Sequence, residues 1–262
     1  MAKTVVVFST KGGVGKTLIT SNLAVSLAKE QAKRVCLVDL DLQLPGDMAR
    51  MLNLSPQKSC LDLIAYLNKN SNPNDAVPLK RYDFVLKTSF AGLDFLPGVL
   101  RPQQSSHFDA GKIKDIFGYL SSDYDYLIVD VGKSFSETFV AALNQANLVL
   151  LVVTPDILSI YQTRWALDTL QFLQIPLNMV KIVLNRADSI SSISLEEIKS
   201  SLPVDIVMQL PSEGKAVGMA VNRGIPVVLD SPRVKFSQGL IKMGQQLVLD
   251  SSIFLEHKEV DQ

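Results

Sequence analysis

Two lysines lie in a glycine-rich segment that directly follows an apolar run. Residues 9–18 read Ser-Thr-Lys-Gly-Gly-Val-Gly-Lys-Thr-Leu, after the run Val5–Phe8 and before a helical pattern. A glycine-rich loop between a strand and a helix directs backbone N–H groups at one point and adds the positive end of the helix, so it holds phosphates. Lys16 can reach the β- and γ-phosphates, and the Thr17 hydroxyl can bind Mg²⁺. The segment therefore predicts a nucleotide-binding protein.

The loop departs from the strict pattern G-x-x-x-x-G-K-[ST], because Thr10 stands at the position of the first glycine. It also carries a second lysine, Lys11, ahead of Lys16. In these features it resembles the deviant phosphate loop of the ParA/MinD superfamily of ATPases, and the resemblance covers about residues 2–249. It implies ATP or ADP with Mg²⁺ as ligands, and it assigns the nucleotide contacts of the loop to Lys11, Gly12, Gly13, Val14, Gly15, Lys16, Thr17 and Leu18.

The resemblance gives Lys11 a role separate from that of Lys16. In the superfamily this lysine leaves its own subunit and touches phosphates bound by the other subunit, as an arginine finger acts in trans. ATP would then hold a homodimer together, and hydrolysis would release it. Leu18 stands where the superfamily commonly has Thr or Ser, and we expect the missing hydroxyl to have a small effect.

Two acidic residues close the second apolar run. Asp39 and Asp41 are two residues apart on a strand, so their side chains point the same way. A carboxylate near Mg²⁺ can orient an attacking water. The segment resembles the switch I segment of the superfamily, which implies that Asp41 positions the water and that Asp39 joins Thr17 in holding the metal shell. Asp41 is thus predicted to be catalytic, together with the two lysines of the loop.

A third acid ends the apolar strand Tyr126–Asp130, which is the Walker B pattern. By the resemblance, Asp130 holds a Mg²⁺-bound water. The superfamily usually continues with a proline-containing turn, whereas Val131-Gly132-Lys133 follows here.

The residues after a later strand resemble a base-reading loop. Asn185-Arg186-Ala-Asp188 matches the superfamily loop in which the Asn contacts the edge of adenine. It also fits the [N]-[KR]-x-D pattern with which GTPases read guanine through the Asp. The rest of the chain favours ATP. Pro211 matches the superfamily position whose backbone lies against the base, so Asn185, Arg186 and Pro211 are predicted to bind the nucleotide.

Short β-branched runs alternate with helical patterns, which predicts an α/β fold with a doubly wound, mostly parallel sheet and helices on both faces. Such a sheet binds its ligand outside the carboxyl ends of its strands, where all the predicted site residues then converge. The predicted strands are Thr4–Phe8, Arg34–Asp39, Leu93–Leu96, Tyr126–Asp130, Leu148–Val153, Lys181–Leu184 and Asp205–Met208. The predicted helices cover residues 16–30, 59–68, 109–120, 136–146, 157–174, 193–201, 213–223 and 234–249, with a polar loop over 68–75.

Composition predicts one soluble, cytoplasmic domain over residues 1–249 and an acidic tail over 250–262. The chain has 262 residues, 47% of them hydrophobic, and its 26 Lys and Arg balance 26 Asp and Glu. No apolar run reaches the ~18 residues of a membrane span. The apolar run near the first residue is too short for a signal peptide. Cys36 and Cys60 have no metal-ligand spacing, and we expect Trp165 to serve packing.

The second half of the chain looks most like the CpaE/TadZ branch, in the stretches Asp125–Ser134, Thr154–Ile160, Val183–Arg186 and Lys215–Leu229. That branch positions pilus secretion machinery, which implies a protein partner and a polar or partner-recruited location. A first alternative is a ParA-type partitioning ATPase that binds DNA non-specifically, with candidate cations at Lys199, Arg233, Lys235 and Lys242.

Two further alternatives are a MinD-like regulator, which is the weakest of the readings within the superfamily, and an enzyme of a different class. A MinD-like regulator of division or of flagellar number needs a basic amphipathic C-terminal helix, whereas residues 250–262 hold four acids and one lysine. A metabolic enzyme with the same loop would resemble a dethiobiotin-synthetase-like ligase or a nitrogenase-iron-protein-like reductase. The reductase needs cluster cysteines in the switch segments, and neither cysteine is placed there.

Overall fold

Eight strands build one sheet in the computed structural model, which describes residues 1–69, 84–189 and 193–255. Their order across the sheet is 3-4-2-5-1-6-7-8 in chain numbering, and all described pairings are parallel except that of the third strand with the fourth. The strands are β1 (Lys3–Phe8), β2 (Val35–Leu40), β3 (Leu86–Lys87), β4 (Leu93–Pro97), β5 (Tyr126–Val131), β6 (Leu148–Val153), β7 (Val180–Asn185) and β8 (Ile206–Leu210). The predicted doubly wound, mostly parallel sheet is confirmed.

Helices cover both faces of this sheet. The described α-helices are α1 (Lys16–Lys29), α2 (Asp47–Met51), α3 (Cys60–Lys69), α4 (Ile113–Ser121), α5 (Glu137–Leu143), α6 (Ile157–Phe172), α7 (Leu195–Ser201), α8 (Gly214–Arg223), α9 (Val227–Asp230) and α10 (Lys235–Leu249). Short 3₁₀ turns lie at Pro102–His107, Ala110–Lys112, Leu177–Met179 and Ser251–Ile253. None of the described helices is long and apolar enough to cross a bilayer.

The core lies on the two faces of the sheet. Every residue of β2, β5 and β6 is buried, as expected of parallel strands covered by helices on both sides. On one face α1 buries Ile19, Leu23 and Leu27, the stripe that its sequence predicts, and each such side chain contributes roughly 1.5–3 kcal/mol. Helix α10 packs outside α1 so closely that a Cβ at Gly244 would lie 2.9 Å from the Ser26 hydroxyl. The other face buries residues from α3, α4, α5 and α6.

Strand register brings the polar strand ends to one edge. Asp39 of β2 lies opposite Asp130 of β5, and Val7 of β1, just ahead of the phosphate loop, lies on the other side of Asp130. Because the strands are parallel, the segments that follow them leave the sheet at the same edge. The predicted convergence of the loop and the acids is therefore found in the structure.

The structure departs from the predicted elements where segments are very short. Strand β3 and helices α2 and α9 were not predicted, because two to five residues carry no readable periodicity. Helix α3 continues through Lys69, so the loop predicted over 68–75 begins later, and residues 70–75 lie outside the described part of the chain.

The first part of the predicted tail is packed against the domain. Phe254 is buried beside the ring of Tyr126, with 6.3 Å between their centroids. The Leu255 N–H donates to the Asn147 carbonyl at 2.8 Å, and the Asn147 amide donates back to the Leu255 carbonyl at 3.1 Å. Residues 250–255 thus cover the amino-terminal edge of the sheet, opposite the phosphate loop. Residues 256–262, with three of the four acids, lie outside the described residues.

Candidate functional site

Glycines shape the loop between β1 and α1. Gly13 and Gly15 have φ angles of 75° and 93°, in the left-handed region that favours glycine. Gly15 is the N-cap of α1 and no side chain caps this end, so the first N–H groups of the helix receive no side-chain acceptor. A Cβ at Gly15 would lie only 2.6 Å from the Asn185 amide nitrogen. This open helix start is the anion-binding geometry that the sequence predicts.

The lysine at the start of α1 points into a cluster of acids. Lys16 Nζ donates to Asp130 Oδ1 at 2.5 Å and lies 3.8 Å from Asp41 Oδ2. Asp39 lines the same cavity, and one of its oxygens accepts from the Asp41 N–H at 3.1 Å. Three carboxylates from two strand ends thus surround one ammonium group.

The electrostatics of this cluster favour added positive charge. Burial raises the pKa of Asp39 well above its usual range, and the neighbouring Asp130 carboxylate raises it further. Burial also raises the pKa of Asp130, although Lys16 acts in the opposite direction. Both shifts show that the folded chain disfavours the ionised form of these carboxyls. A divalent cation close by would reverse that preference.

One oxygen of this cluster is suited to a metal-bound water. Asp130 Oδ2 is buried and has no hydrogen-bond partner among the described residues, whereas Asp130 Oδ1 accepts from Lys16 Nζ and, at 3.5 Å, from the Thr20 hydroxyl. Within the described residues, no group of three His, Cys, Asp or Glu side chains could hold a metal ion. The residues present therefore fit Mg²⁺ that takes its ligands from the Thr17 hydroxyl, phosphate oxygens and water, as Mg²⁺ does at nucleotide sites.

The other lysine of the loop points elsewhere. Lys11 Nζ donates to both oxygens of Asp156 at 2.8 Å. Asp156 is the N-cap of α6, where it accepts from the Ser159 N–H at 3.0 Å and from the Thr154 hydroxyl at 2.7 Å. Burial acts to raise the pKa of Asp156, but the hydrogen bonds from Lys11, Thr154 and Ser159 outweigh it and lower that pKa. Lys11 is thus held at the outer rim of the site by an anion of its own chain.

The predicted base-reading residues are tied to the phosphate loop. The buried Asn185 amide donates to the Val14 carbonyl at 2.7 Å, and Arg186 Nη2 donates to the Gly13 carbonyl at 3.3 Å. Asp188 accepts from the Ser212 N–H at 2.6 Å, which joins this loop to the one that contains Pro211. The ends of β7 and β8 and the phosphate loop therefore form one connected rim.

A cavity of about 450 Å³ opens between the phosphate loop and the ends of β2 and β5. It contains all the predicted loop residues, including the half-buried Leu18, and the acids Asp39, Asp41 and Asp130. The sequence prediction missed three charged residues of this region, among them Asp47, which also lines the cavity. Lys133 lines the cavity, and Asp156 lies at its rim as the partner of Lys11. Both follow buried strands at the same edge, which is the signal that could have found them.

The prediction for Trp165 was wrong in part. Its side chain is 57% exposed on α6, and its ring meets that of Phe135 edge to face, with centroids 5.6 Å apart. Phe135 belongs to the segment after Asp130 and also contacts Phe8 and Phe139. Trp165 therefore joins the surface of α6 to the segment that follows the Walker B strand. The same helix exposes Ile157, Leu158, Tyr161 and Phe172.

A glycine loop on a helix start, a buried lysine and a Walker B acid at the carboxyl edge of a doubly wound sheet define a P-loop nucleotide-binding protein. Residues 2–182 match the AAA_31 family model, described as an AAA domain, and the chain belongs to this family, within the ParA/MinD superfamily of P-loop ATPases.

Relatives from both halves of that superfamily resemble the chain. The septum site-determining protein MinD of Thermotoga maritima is 28% identical over 237 residues, which cover 88% of this chain and 82% of that protein. A ParA family ATPase from Chlorobium tepidum TLS superposes with a TM-score of 0.83 at 25% identity, covering 94% of this chain and 99% of that one. MinD from Pyrococcus horikoshii OT3, solved with Mg-ADP, has a TM-score of 0.79 at 25% identity, covering 94% and 96%. These likenesses confirm the predicted superfamily, while the CpaE/TadZ branch stays a prediction.

Proposed function

We propose that this protein is an ATP-driven molecular switch that dimerises across bound ATP, hydrolyses it slowly and positions cellular cargo through a protein partner. One observation carries the proposal: the two lysines of the loop point to different places. Lys16 lies in the buried acid cluster of its own subunit, whereas Lys11 lies at the rim, 2.8 Å from Asp156. A lysine at the rim is available to the phosphates of a second copy.

Each residue of the site then has a distinct task. The N–H groups of the loop and Lys16 bind the phosphates, and Thr17 contributes a Mg²⁺ ligand. Asp130 and Asp39 hold the water shell of the metal, because both are buried at the ends of neighbouring strands. Asp41 orients the attacking water, which is the contribution that phosphoryl transfer needs from the protein besides positioning and charge.

The proposed cargo follows from the sequence resemblance to the CpaE/TadZ branch, which points to pilus or secretion machinery. The likeness to the MinD of Thermotoga maritima supports a second candidate, a regulator of division-site placement. For a third candidate, DNA partitioning, Lys235 and Lys242 are exposed and seven residues apart on α10, so they share one face of that helix next to the exposed Arg233.

The switch is tested by measuring molar mass by light scattering after size exclusion, with Mg²⁺ and either ATP or ADP. The wild type is expected to be a dimer with ATP and a monomer with ADP. Lys11→Ala is expected to bind ATP and remain a monomer, because it lacks the cation that crosses the dimer interface. Lys114→Ala, which removes an exposed lysine of α4 that does not line the cavity, is the matched control and should dimerise. Normal dimerisation of Lys11→Ala, or a wild type that never dimerises, contradicts the proposal.

The cargo classes are separated by two assays on the same variants. In the native cell, a fluorescent fusion shows where the protein lies, and deletion of the protein shows whether pilus assembly or the position of the septum depends on it. DNA binding is measured with ATP at several salt concentrations, with wild type and with the Lys235→Ala/Lys242→Ala double variant. Partitioning predicts ATP-dependent binding that weakens with salt and with the double substitution. Absence of binding at low salt would remove that candidate.

A further inference from the structure

We infer that Lys133 is a third lysine of the phosphate site and that it contacts the γ-phosphate of ATP in its own subunit, so that it sets the preference for ATP over ADP. The inference rests on the proposed ATP-binding function. It concerns a residue in the segment after Asp130, where the chain has Val131-Gly132-Lys133 in place of the usual proline-containing turn.

The position of this segment brings Lys133 to the cavity. Strand β5 ends at Val131, and Lys133 lines the same 450 Å³ cavity as Lys16, Thr17 and Asp41. The chain passes close to Asp41 on the way, because a Cβ at Gly132 would lie 3.5 Å from Asp41 Oδ1. Asp41 is the acid proposed to orient water for attack on the γ-phosphate. A cation on this side of the cavity therefore faces the last phosphate rather than the first two, which the glycine loop holds.

Lys133 also differs from the other two lysines in having no anion of its own. Lys16 pairs with Asp130, and Lys11 pairs with Asp156. In the part of the chain that the structure describes, no hydrogen bond or ion pair is found for the exposed ammonium group of Lys133. It can therefore bind an incoming anion without first breaking a pair.

The charge balance of the cavity favours such a cation. Four carboxyls line it, from Asp39, Asp41, Asp47 and Asp130. With Lys11 held by Asp156, the cationic side chains left to oppose them, besides a bound Mg²⁺, are Lys16 and Lys133. Adding the γ-phosphate brings more negative charge next to these acids, whereas ADP leaves that part of the cavity without a phosphate. A charge-assisted hydrogen bond from Lys133 would thus strengthen the binding of ATP by about tenfold and leave the binding of ADP nearly unchanged.

The test is isothermal titration with Mg²⁺ and either ADP or a non-hydrolysable ATP analogue. The variants are made in the wild type and again in Lys11→Ala, so that dimerisation does not contribute to the measured affinity. Lys133→Ala is expected to weaken analogue binding about tenfold while ADP binding stays within about twofold, and Lys133→Arg is expected to recover most of the loss. Lys114→Ala is the matched control and should bind both nucleotides as the wild type does.

The outcomes separate this inference from the proposed function. If Lys133→Ala keeps the wild-type ratio of the two affinities, or weakens both nucleotides equally, Lys133 does not contact the γ-phosphate and the inference fails. If the wild type binds neither nucleotide, the proposed function fails as well. Thermal denaturation of each variant shows that an observed loss comes from the site, because Lys133 is exposed and its truncation should leave the fold stable.

Discussion

The two lysine–aspartate pairs of the phosphate loop have the same chemistry and opposite surroundings. Lys16 Nζ lies 2.5 Å from Asp130 Oδ1, and the two side chains are 9% and 0% exposed. Lys11 Nζ lies 2.8 Å from Asp156, and those side chains are 34% and 40% exposed. A buried pair is costly to break, because each lone partner stays desolvated. An exposed pair contributes about 1 kcal/mol or less, because water and salt screen it.

This difference explains how one short loop can serve two tasks. The buried Lys16 is fixed by its surroundings, so it can only act on a ligand inside its own subunit. Lys11 can leave Asp156 at little cost and bind another anion at the rim, which is the behaviour expected of a residue that crosses to a second copy. The same comparison predicts that substitutions at the two pairs differ greatly in their effect on stability.

Breaking the buried pair should have the largest effect. Lys16→Ala leaves Asp130 desolvated without its partner, and we expect the free energy of unfolding at pH 8 to fall by about 3 kcal/mol. Nucleotide binding should be lost as well, because the cation that meets the phosphates is gone. Urea unfolding and titration with ADP measure the two effects.

The double variant Lys16→Met/Asp130→Asn is the matched control for stability. It removes both charges, so we expect it to recover most of the lost unfolding free energy while it remains unable to bind nucleotide. Equal stability of Lys16→Ala and the wild type would show that the pair is not held as the structure describes.

Sequence patterns predicted that Lys16 and Asp130 lie at one edge of the sheet, but they did not predict either ion pair, for a physical reason. Lys16 and Asp130 each lie in a segment whose composition is constrained, a glycine loop and an apolar strand that ends in Asp, and parallel pairing places them side by side. Lys11 and Asp156 are 145 residues apart, and nothing local shows which way the Lys11 side chain turns. The sheet itself followed from the apolar runs, because strands buried on both faces read as continuous apolar stretches.

The exposure of Trp165 could not be predicted for a related reason. Helix α6 mixes apolar and polar residues on both sides: Leu167 and Leu170 are buried and Leu158 and Phe172 exposed, while the polar Ser159 and Thr163 are buried too. A helix of this kind has no polar face to mark the solvent side, so periodicity does not show which residues pack. The sequence therefore predicts packing for Trp165 without showing that much of its side chain is exposed.

Removing the carboxylate that orients water should affect turnover more than stability. Asp41 Oδ2 lies 3.8 Å from Lys16 Nζ, farther away than the Asp130 carboxylate that pairs with this lysine. We expect Asp41→Ala to bind ATP and dimerise but to hydrolyse it about 100-fold more slowly, so that the dimer with ATP persists. Size exclusion in ATP followed by a phosphate-release assay on the same sample measures both properties.

An exposed acid of α4 provides the control for this variant. Asp115→Ala removes an exposed carboxylate that pairs with Lys112 at the surface, and it should hydrolyse ATP at the wild-type rate. Rapid return of Asp41→Ala to the monomer would show that another group supplies the catalytic carboxylate.

Weakening the exposed pair should have the smallest effect of these substitutions. It should promote dimerisation, whereas loss of Lys11 prevents it. Asp156→Asn keeps an N-cap side chain for α6 but removes the charge that holds Lys11. Lys11 is then free to bind phosphate, and we expect the ATP concentration at half-dimerisation to fall about twofold, in line with an exposed pair of about 0.5 kcal/mol. Sedimentation across an ATP titration measures this shift, and an unchanged midpoint would mean that Asp156 does not compete for Lys11.

The pH dependence of the same variant checks the assignment independently. Hydrogen bonds lower the pKa of Asp156 in the folded chain, so its contribution to stability is present above the unfolded value of about 3.9 and is lost as pH falls through the lower folded value. Because the group is partly exposed, screening keeps that contribution at or below about 1 kcal/mol. Urea unfolding should therefore show the wild type slightly more stable than Asp156→Asn at pH 7, with the difference shrinking below about pH 4. A difference that grows as the pH falls would contradict the sign of the shift and with it the pairing of Asp156 with Lys11.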